Sequence, residues 1–291
     1  MVDDVDERAD EPLGTKEKFW VSRTQDDHVW LFKFAREQGG RVLGEDWAEW
    51  VVHKIAQLLD VPTATVIPAS ASGRRGVLSR RVLDAQIGEE LRHGNELLAE
   101  VDRQYDSSLE GNNPRYTLDL VKKALIGTGA PQELRRPSLS GYDVFCGYLL
   151  MDALVAGQDR HHANWAVIQL DVSRSLAPSF DHGNALGFAV TDKELRRLVA
   201  EPELRQRWLG RGKSRHFAHR PPLTDLAYEA LSAASPAARR YWRVRLENFN
   251  PQQLTGILSS IPTNVMSEDA RTLALMIVRE NRRRLLNDYP H

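Results

Sequence analysis

Two short polar stretches near the middle of the chain carry the residues best suited to chemistry. The first, residues 157–164, reads Gly-Gln-Asp-Arg-His-His-Ala-Asn and contains Asp159 and Asn164. The second, residues 179–183, reads Ser-Phe-Asp-His-Gly and contains Asp181. Any one of these residues alone is explained equally well as a turn former. Together they offer two carboxylates and an amide oxygen, the ligands that hard cations such as Mg²⁺ prefer.

The residues between these stretches predict a β-hairpin that brings them together. Apolar runs at 165–170 and 176–180 flank the polar turn 171–175, a pattern typical of two antiparallel strands. If the chain folds back between Val172 and Ser173, the numbers of facing residues sum to about 345, so Asn164 faces Asp181. We therefore expect a cation site at the open end of the hairpin, with Asp159 just upstream.

A lysine in an early strand is a second candidate. Lys33 lies within the strand-like run 28–34, where a period of two places it on the same face as Val29 and Leu31. One interpretation is an edge-strand lysine that reaches solvent. The other is a lysine that binds an anion.

The helix predicted over residues 45–60 favours the second interpretation. Glu49 shares a stripe with Val52 and Ala56, so its carboxylate lies above apolar neighbours. Kinases use a strand lysine paired with a helix glutamate to bind ATP phosphates. Glu45 is the less favoured partner, because an acid in the first helical turn is expected in any case. Upstream, the run Gly-Thr-Lys-Glu-Lys at 14–18 would either cover phosphates or serve as a flexible connection.

The composition is that of an ordinary globular protein. The 291 residues are 42% hydrophobic and 27% charged, and the 39 basic and 40 acidic residues leave a net charge of −1. This balance argues against direct nucleic-acid binding. The single cysteine, Cys146, excludes an internal disulfide and a cysteine-based zinc cluster, and we expect it to be a buried structural thiol. No apolar run reaches a membrane span and the N-terminus is acidic, so we expect a cytoplasmic protein.

The order of predicted elements indicates an α+β chain in two lobes. We expect residues 1–13 to be a disordered acidic tail, 14–83 a β-rich N-lobe with one helix, and 84–291 a helical C-lobe that carries the hairpin. Strands are predicted at 18–22, 28–34, 63–67 and 76–83, besides the hairpin. Helices are predicted at 45–60, 94–104, 117–127, 141–156, 192–209, 223–233, 236–248, 251–259 and 267–287.

The sequence resembles the HipA-like serine/threonine kinases and, more distantly, the phosphoinositide-3-kinase-like enzymes. The pattern Asp159-Arg160-His161-x-x-Asn164 and the downstream Phe180-Asp181-His182-Gly183 carry the resemblance. It extends to the strand 31–33, to the helix 49–56 with its exit at Val61-Pro62, and to the runs 91–98 and 176–182.

This resemblance implies a bilobal protein-kinase-like fold and a phosphotransferase that uses ATP and Mg²⁺ on a Ser or Thr hydroxyl, with a protein as the expected substrate. Lys33 would bind ATP phosphates and Glu49 would pair with it. Asn164 and Asp181 would bind magnesium. The implied roles of the remaining residues are a catalytic base at Asp159, stabilisation of the transferred group by His161 and Arg160, and an adenine-binding hinge at 80–83 that includes Arg81 and Leu83.

Two other functions stay open at this stage. One is a nucleotide-binding regulatory module without activity, and the other is a metal-dependent hydrolase that uses His161, His162 and His182 with the two aspartates. Toxin members of the family carry an extra N-terminal subdomain and work with a DNA-binding antitoxin. Because few residues precede the first predicted strand, the pattern does not predict an antitoxin partner.

Overall fold

The structure, a computed structural model, describes residues 6–10, 17–23, 26–109, 111–134, 138–287 and 289. A small lobe is built on an antiparallel sheet and a larger lobe is helical, which confirms the predicted α+β fold class. The strands are β1 (Asp6–Asp10), β2 (Lys18–Arg23), β3 (Asp26–Phe34), β4 (Glu37–Gln38), β5 (Arg41–Val42), β6 (Val66–Ala71), β7 (Arg74–Arg80), β8 (Glu90–His93), β9 (Ala166–Leu170) and β10 (Ser173–Leu176). The helices are α1 (Glu45–Leu59), α2 (Gly94–Val101), α3 (Leu118–Ala124), α4 (Gly141–Val155), α5 (Asp192–Ala200), α6 (Pro202–Gly210), α7 (Leu223–Ser232), α8 (Pro236–Asn248), α9 (Gln253–Ser259) and α10 (Glu268–Asn287).

The N-lobe sheet has the strand order β1-β2-β3-β7-β6, so β3 is an interior strand. Phe32 and Phe34 belong to an apolar cluster on one face of β3, and the alternation of side chains places Lys33 on the opposite face. The interpretation of Lys33 as an edge-strand lysine is therefore wrong. Gly76 permits the close pairing of β7, because a Cβ at this position would lie 2.2 Å from the Lys33 carbonyl oxygen.

Strand β1 lies within the segment for which we predicted a disordered tail. Its residues pair antiparallel with β2, with Ala9 opposite Trp20 and Asp10 opposite Phe19. An edge strand is held by backbone hydrogen bonds, so a polar segment can occupy it without an apolar pattern to reveal it. The rest of the predicted tail, and Gly14 to Lys16 of the predicted phosphate-covering run, lie outside the described residues.

Helix α1 packs on the inner face of this sheet and ends as the sequence predicts. Its cap residue Asp60 adopts a left-handed conformation with φ of 58°, and the Asp60 backbone N–H donates to Ala56 and Gln57. Pro62 follows and cannot continue a helix. Helix α4 forms the centre of the C-lobe, where all of its residues are buried, including Cys146. A reciprocal capping box between Ser140 and Asp143 fixes where α4 begins.

The hairpin is present, but its register differs from the prediction, and its ladder ends before Asn164 and Asp181, so these two residues do not face each other across it as predicted. Leu170 pairs with Ser173 and Val167 with Leu176, so facing residues sum to 343 and the turn consists of Asp171 and Val172 alone. Residues 173–175, predicted as turn, belong to β10. The polarity of this run misled the prediction, because a strand at the edge of a sheet tolerates polar side chains. β8 completes a three-stranded sheet on the other side of β9.

Other boundaries differ where one residue type overrides the periodicity. The helix predicted over 192–209 is two helices, because Pro202 forces Glu201 out of the helical region to φ of −109° and ψ of 97°. The strand predicted at 63–67 begins only at Val66, and the strand predicted at 76–83 ends at Arg80. No helix of the described chain is both long enough and apolar enough to cross a membrane.

Candidate active site

A buried ion-pair network joins the two lobes at Lys33. The Lys33 ammonium lies 2.8 Å from Glu49 Oε1 and 3.3 Å from Asp181 Oδ1, and Lys33 and Glu49 are only 8% and 2% exposed. Burial alone would lower the pKa of Lys33, but the charges of Asp181 and Glu49 outweigh burial and raise it. The lysine is therefore a permanent cation at neutral pH. The predicted pairing of Lys33 with Glu49 is thus found in the structure.

Glu45, the alternative partner, is committed to another basic residue. Its Oε1 accepts from Arg36 Nε at 2.9 Å, and its Oε2 accepts from the Arg36 backbone N–H at 3.2 Å. A Cβ at Gly183 would lie 3.2 Å from Glu45, so the start of α1 is packed directly against the segment that follows Asp181. The hydrogen bond that Arg36 donates to Glu45 raises the pKa of Arg36, and the carboxylates of Asp159 and Asp181 add to this effect.

Asp181 is brought to Lys33 by contacts outside the hairpin, which the sequence did not predict. The chain leaves the ladder after Ala177, and Ser179 then forms a parallel bridge with Thr63, just after α1. The backbone N–H of Ser179 donates to Pro62, and that of Ala64 donates to Ser179. Asp181 itself adopts a left-handed conformation with φ of 60°. This conformation is costly for a residue other than glycine and is typical of functional segments.

Arg160 is a buried structural tether, and our expectation that it stabilises the transferred group is wrong. Its guanidinium makes a two-pronged ion pair with Asp152 of α4, with both contacts at 2.8 Å. Its Nη1 also donates to Asn164 O at 2.9 Å and to Ser179 Oγ at 2.8 Å. Arg160 therefore links the first polar stretch to α4 and to the second polar stretch. Its contact in the second stretch, Ser179, lies two residues before Asp181.

Asn164 is oriented by a contact within its own loop. Its side-chain nitrogen donates to the Asp159 carbonyl oxygen at 2.7 Å, which leaves the side-chain oxygen available for another partner. Asn184 Oδ1, in the segment after Asp181, is buried and has no hydrogen-bond partner among the described residues. Asn184, Asp159 and Asp181 line one small cavity.

Asp159 lies at the end of this network with a partner on each carboxylate oxygen. His216 Nε2 lies 2.7 Å from Oδ1, and Asn184 Nδ2 donates to Oδ2. Burial raises the pKa of Asp159, but the hydrogen bonds from His216 and Asn184 outweigh burial and hold the pKa below its usual value. Asp159 is therefore an anion at neutral pH, as an acceptor of a proton must be.

The two neighbouring histidines differ in their surroundings. His161 is half-buried, accepts from the Ala163 backbone N–H through Nδ1, and has its ring 5.1 Å from the ring of His216. His162 points away into the C-lobe, where its Nδ1 contacts the Tyr105 hydroxyl at 2.7 Å. Burial lowers the pKa of His162 to about 4, so it is neutral and structural.

His93 and Gly94 contact the end of the first polar stretch, residues 157–164, and the residue that follows it. His93 Nδ1 lies 3.0 Å from the Ala163 carbonyl oxygen, and the Gly94 backbone N–H donates to Trp165. A Cβ at Gly94 would lie 2.2 Å from the Trp165 ring and 2.4 Å from the His162 carbonyl oxygen. Only glycine allows α2 to begin this close to the loop.

The segment after β7 connects the lobes beside the second polar stretch. The Arg81 backbone N–H donates to Val29, whereas no described residue accepts a hydrogen bond from the backbone N–H of Val82 or Leu83. Both side chains are half-buried in a small apolar cluster with Phe180. Val82 and Leu83 therefore lie beside Phe180 of the second polar stretch, on the connection that leaves β7.

Sequence reasoning missed His216, Asn184 and Arg36 as members of the site. His216 lies 57 residues from Asp159 along the chain, and no periodicity or motif connects the two. Arg36 follows the strand of Lys33 closely but reads as an ordinary surface arginine. Asn184 directly follows the motif Phe180-Asp181-His182-Gly183, and a polar amide at that position could have marked it as a site residue.

Comparison with known proteins identifies the fold. No protein-family model and no curated protein sequence matches the chain. Among solved structures, the chain is similar to the Helicobacter pylori proinflammatory kinase CtkA, with a TM-score of 0.73, 14% identity, and coverage of 96% of this chain and 91% of that one. The chain has a HipA-like kinase fold. The Shewanella oneidensis toxin HipA, solved with HipB and operator DNA, matches with a TM-score of 0.56 and 12% identity over 98% of this chain and 65% of that one.

The HipA-like fold agrees with the resemblance that the motifs indicated. Because both identities are this low, the likeness shows the fold alone.

Proposed function

We propose that this protein is an ATP- and Mg²⁺-dependent phosphotransferase that transfers a phosphoryl group to a Ser or Thr hydroxyl of a protein. The observation that carries the proposal is the contact of one buried lysine with both Glu49 and Asp181. A permanent cation is thereby held on the face of β3 opposite the N-lobe apolar cluster, beside the acidic segment of the other lobe. Phosphoryl transfer depends mainly on positioning and charge stabilisation of this kind.

Each predicted nucleotide-binding residue has a place in this proposal. Lys33 binds the ATP phosphates, and Glu49 holds its side chain in position. The connection at Arg81 to Leu83 binds adenine through the backbone of Val82 and Leu83, whose N–H groups donate to no described residue. Phe180 and the apolar cluster around it provide a wall for the base.

The donor set fits a magnesium ion. The side-chain oxygen of Asn164 is left available by the contact of its nitrogen with Asp159, and the carboxylate of Asp181 is 27% exposed. Asn184, whose buried Oδ1 has no partner among the described residues, lines the same small cavity as Asp181. Asn164 and Asp181 would hold the ion, which when bound neutralises charge on the nucleotide phosphates.

Asp159 accepts the proton of the acceptor hydroxyl. Its lowered pKa keeps it ionised, and His216 and Asn184 fix the plane of the carboxylate. Each carboxylate oxygen has two lone-pair positions, so Asp159 can accept a further hydrogen bond from the hydroxyl. His161 lies next to Asp159 and would stabilise negative charge on the transferred group.

A metal-dependent hydrolase fits this site less well. In the described part of the chain, no group of three or more His, Cys, Asp or Glu side chains is arranged to hold a metal ion. His162 bonds to Tyr105, away from Asp159, and burial lowers the pKa of His182. The hydrolase would also leave the Lys33–Glu49 pair without a role.

The proposal is tested with ATP labelled in the γ-phosphate, magnesium and a cell lysate. We expect transfer by the wild-type protein and none by Asp159→Ala or Asp181→Ala. Transfer that survives both substitutions would contradict the assignment. ATP-dependent thermal stabilisation without any turnover would instead identify an inactive nucleotide-binding module.

A further inference from the structure

A basic loop, residues 211–222, lies beside Asp159, which its His216 contacts. It contains Arg211, Lys213, Arg215 and Arg220, together with two histidines, and it has no acidic residue. The residues proposed to bind nucleotide and metal lie outside this loop. Its composition stands out in a chain whose charges otherwise balance.

The basic loop is fixed in place by packing and by backbone hydrogen bonds. Phe217 is buried and stacks on Tyr116 with 4.0 Å between ring centroids, and the Ala218 backbone N–H donates to Tyr116. The Arg215 backbone N–H donates to Gln158 at 3.1 Å. Since Gln158 precedes Asp159, this bond and the contact of His216 with Asp159 place the loop directly at the proposed catalytic base.

The positive charge of the loop is not neutralised within the described chain. Lys213, Arg215 and Arg220 are exposed, and no described acidic side chain pairs with any of them. Arg215 has only a neutral side-chain partner, Gln158, at 3.4 Å. Arg197 of α5, by contrast, is an exposed arginine that pairs with Glu201 at 3.2 Å. An unneutralised cluster beside a catalytic carboxylate raises the local concentration of anionic ligands.

We propose that the basic loop is the acceptor-binding surface of this protein and that it selects a hydroxyl flanked by Asp or Glu side chains in a protein. Its role as an acceptor surface rests on the proposed phosphotransfer. An acidic peptide is favoured over a nucleic acid because the loop has a single Phe, Tyr or Trp side chain, Phe217, and that ring is buried against Tyr116. Single-stranded nucleic acids need exposed rings on which bases can stack.

Binding of a labelled peptide tests the loop without requiring phosphoryl transfer. The probe is a fluorescent peptide in which Glu and Asp residues flank an Ala at the acceptor position, compared with a peptide in which Gln and Asn replace the acids. The full chain is tested beside Lys213→Glu/Arg220→Glu and a matched control, Arg240→Glu/Arg279→Glu. The control places the same charge change on exposed positions of α8 and α10.

We expect the acidic peptide to bind about tenfold more weakly to Lys213→Glu/Arg220→Glu than to the wild type, because two exposed attractions become repulsions. The control should bind within about twofold of the wild type, and salt should weaken the wild-type affinity. A milder pair, Lys213→Gln/Arg220→Gln, should lose about threefold and serves if the charge reversal impairs folding.

Equal binding to the two charge-reversed proteins would overturn the proposal. So would equal affinity for the acidic and neutral peptides, or competition by single-stranded DNA as strong as that by the unlabelled acidic peptide. If the peptide binds as expected but the wild type transfers no phosphate to its Ser-containing counterpart, the proposed phosphotransfer fails while the acidic-peptide surface stands.

Discussion

Replacement of Lys33 by Met should destabilise the protein by an amount set by the carboxylate left behind. The substitution keeps the length of the side chain but removes an ammonium 2.8 Å from Glu49, whose side chain is 3% exposed. Removing one member of a buried ion pair costs about 3–5 kcal/mol, because the other charge stays buried without compensation. Asp181 is 27% exposed and regains water, so we assign the cost to Glu49 and expect a loss of about 3–4 kcal/mol.

The assay is urea unfolding at pH 7 followed by tryptophan fluorescence. The double variant Lys33→Met/Glu49→Gln should be more stable than Lys33→Met alone, because it no longer buries an unpaired charge. Lys193→Met, at an exposed position of α5, should change the stability by no more than about 0.5 kcal/mol. An unfolding free energy of Lys33→Met within about 1 kcal/mol of the wild-type value would refute the expected cost of the unpaired Glu49. So would a double variant that is less stable than Lys33→Met.

Three further predictions address the support around the site. Gly94→Ala should lower the unfolding free energy by about 2 kcal/mol or more because its Cβ meets rigid neighbours, whereas Gly256→Ala, at a helix position with open space around it, should be neutral or stabilising in the same denaturation assay. The pKa of His162 is about 4 in the folded protein and 6.5 when unfolded, so between these values the unfolded state binds the proton more tightly. The unfolding free energy should therefore fall as the pH drops from 6.5 to about 4, and His162→Gln should reduce that slope by up to one proton. His216→Ala removes a hydrogen bond that lowers the pKa of Asp159, so the acid limb of the kcat/KM profile should move to higher pH, and an unmoved limb would exclude His216 as a positioning residue.

Much of the N-lobe was predictable because local rules agree there. The alternation in β3 placed Lys33 opposite the face of Phe32, and the inward stripe of α1 placed Glu49 beneath it. Neither rule shows which strands flank β3. The exclusion of an edge lysine therefore came only from the sheet order. Strand β1 escaped prediction because backbone pairing at an edge leaves no apolar pattern.

The two polar stretches of the C-lobe do contact each other and Lys33, but through contacts that the sequence did not predict. The hairpin does lie between the two polar stretches, yet Asp181 reaches Lys33 because Ser179 pairs with the exit of α1, and a ladder register cannot reveal that contact. Arg160 was expected to stabilise charge on the transferred group. Its burial against Asp152 depends on how the loop packs on α4, and the local sequence does not predict that packing. His216 depends on the packing of a distant loop.

The most direct test of the central claim separates nucleotide binding from chemistry at Asp159. The measurement compares the wild type with Asp159→Asn in two assays: calorimetric binding of ATP with magnesium, and transfer of the labelled γ-phosphate to protein under the same conditions. We predict that Asp159→Asn binds ATP within about threefold of the wild type, since Lys33, Asn164 and Asp181 are retained, and that transfer falls by about 100-fold or more. Transfer by Asp159→Asn at the wild-type rate would contradict the account.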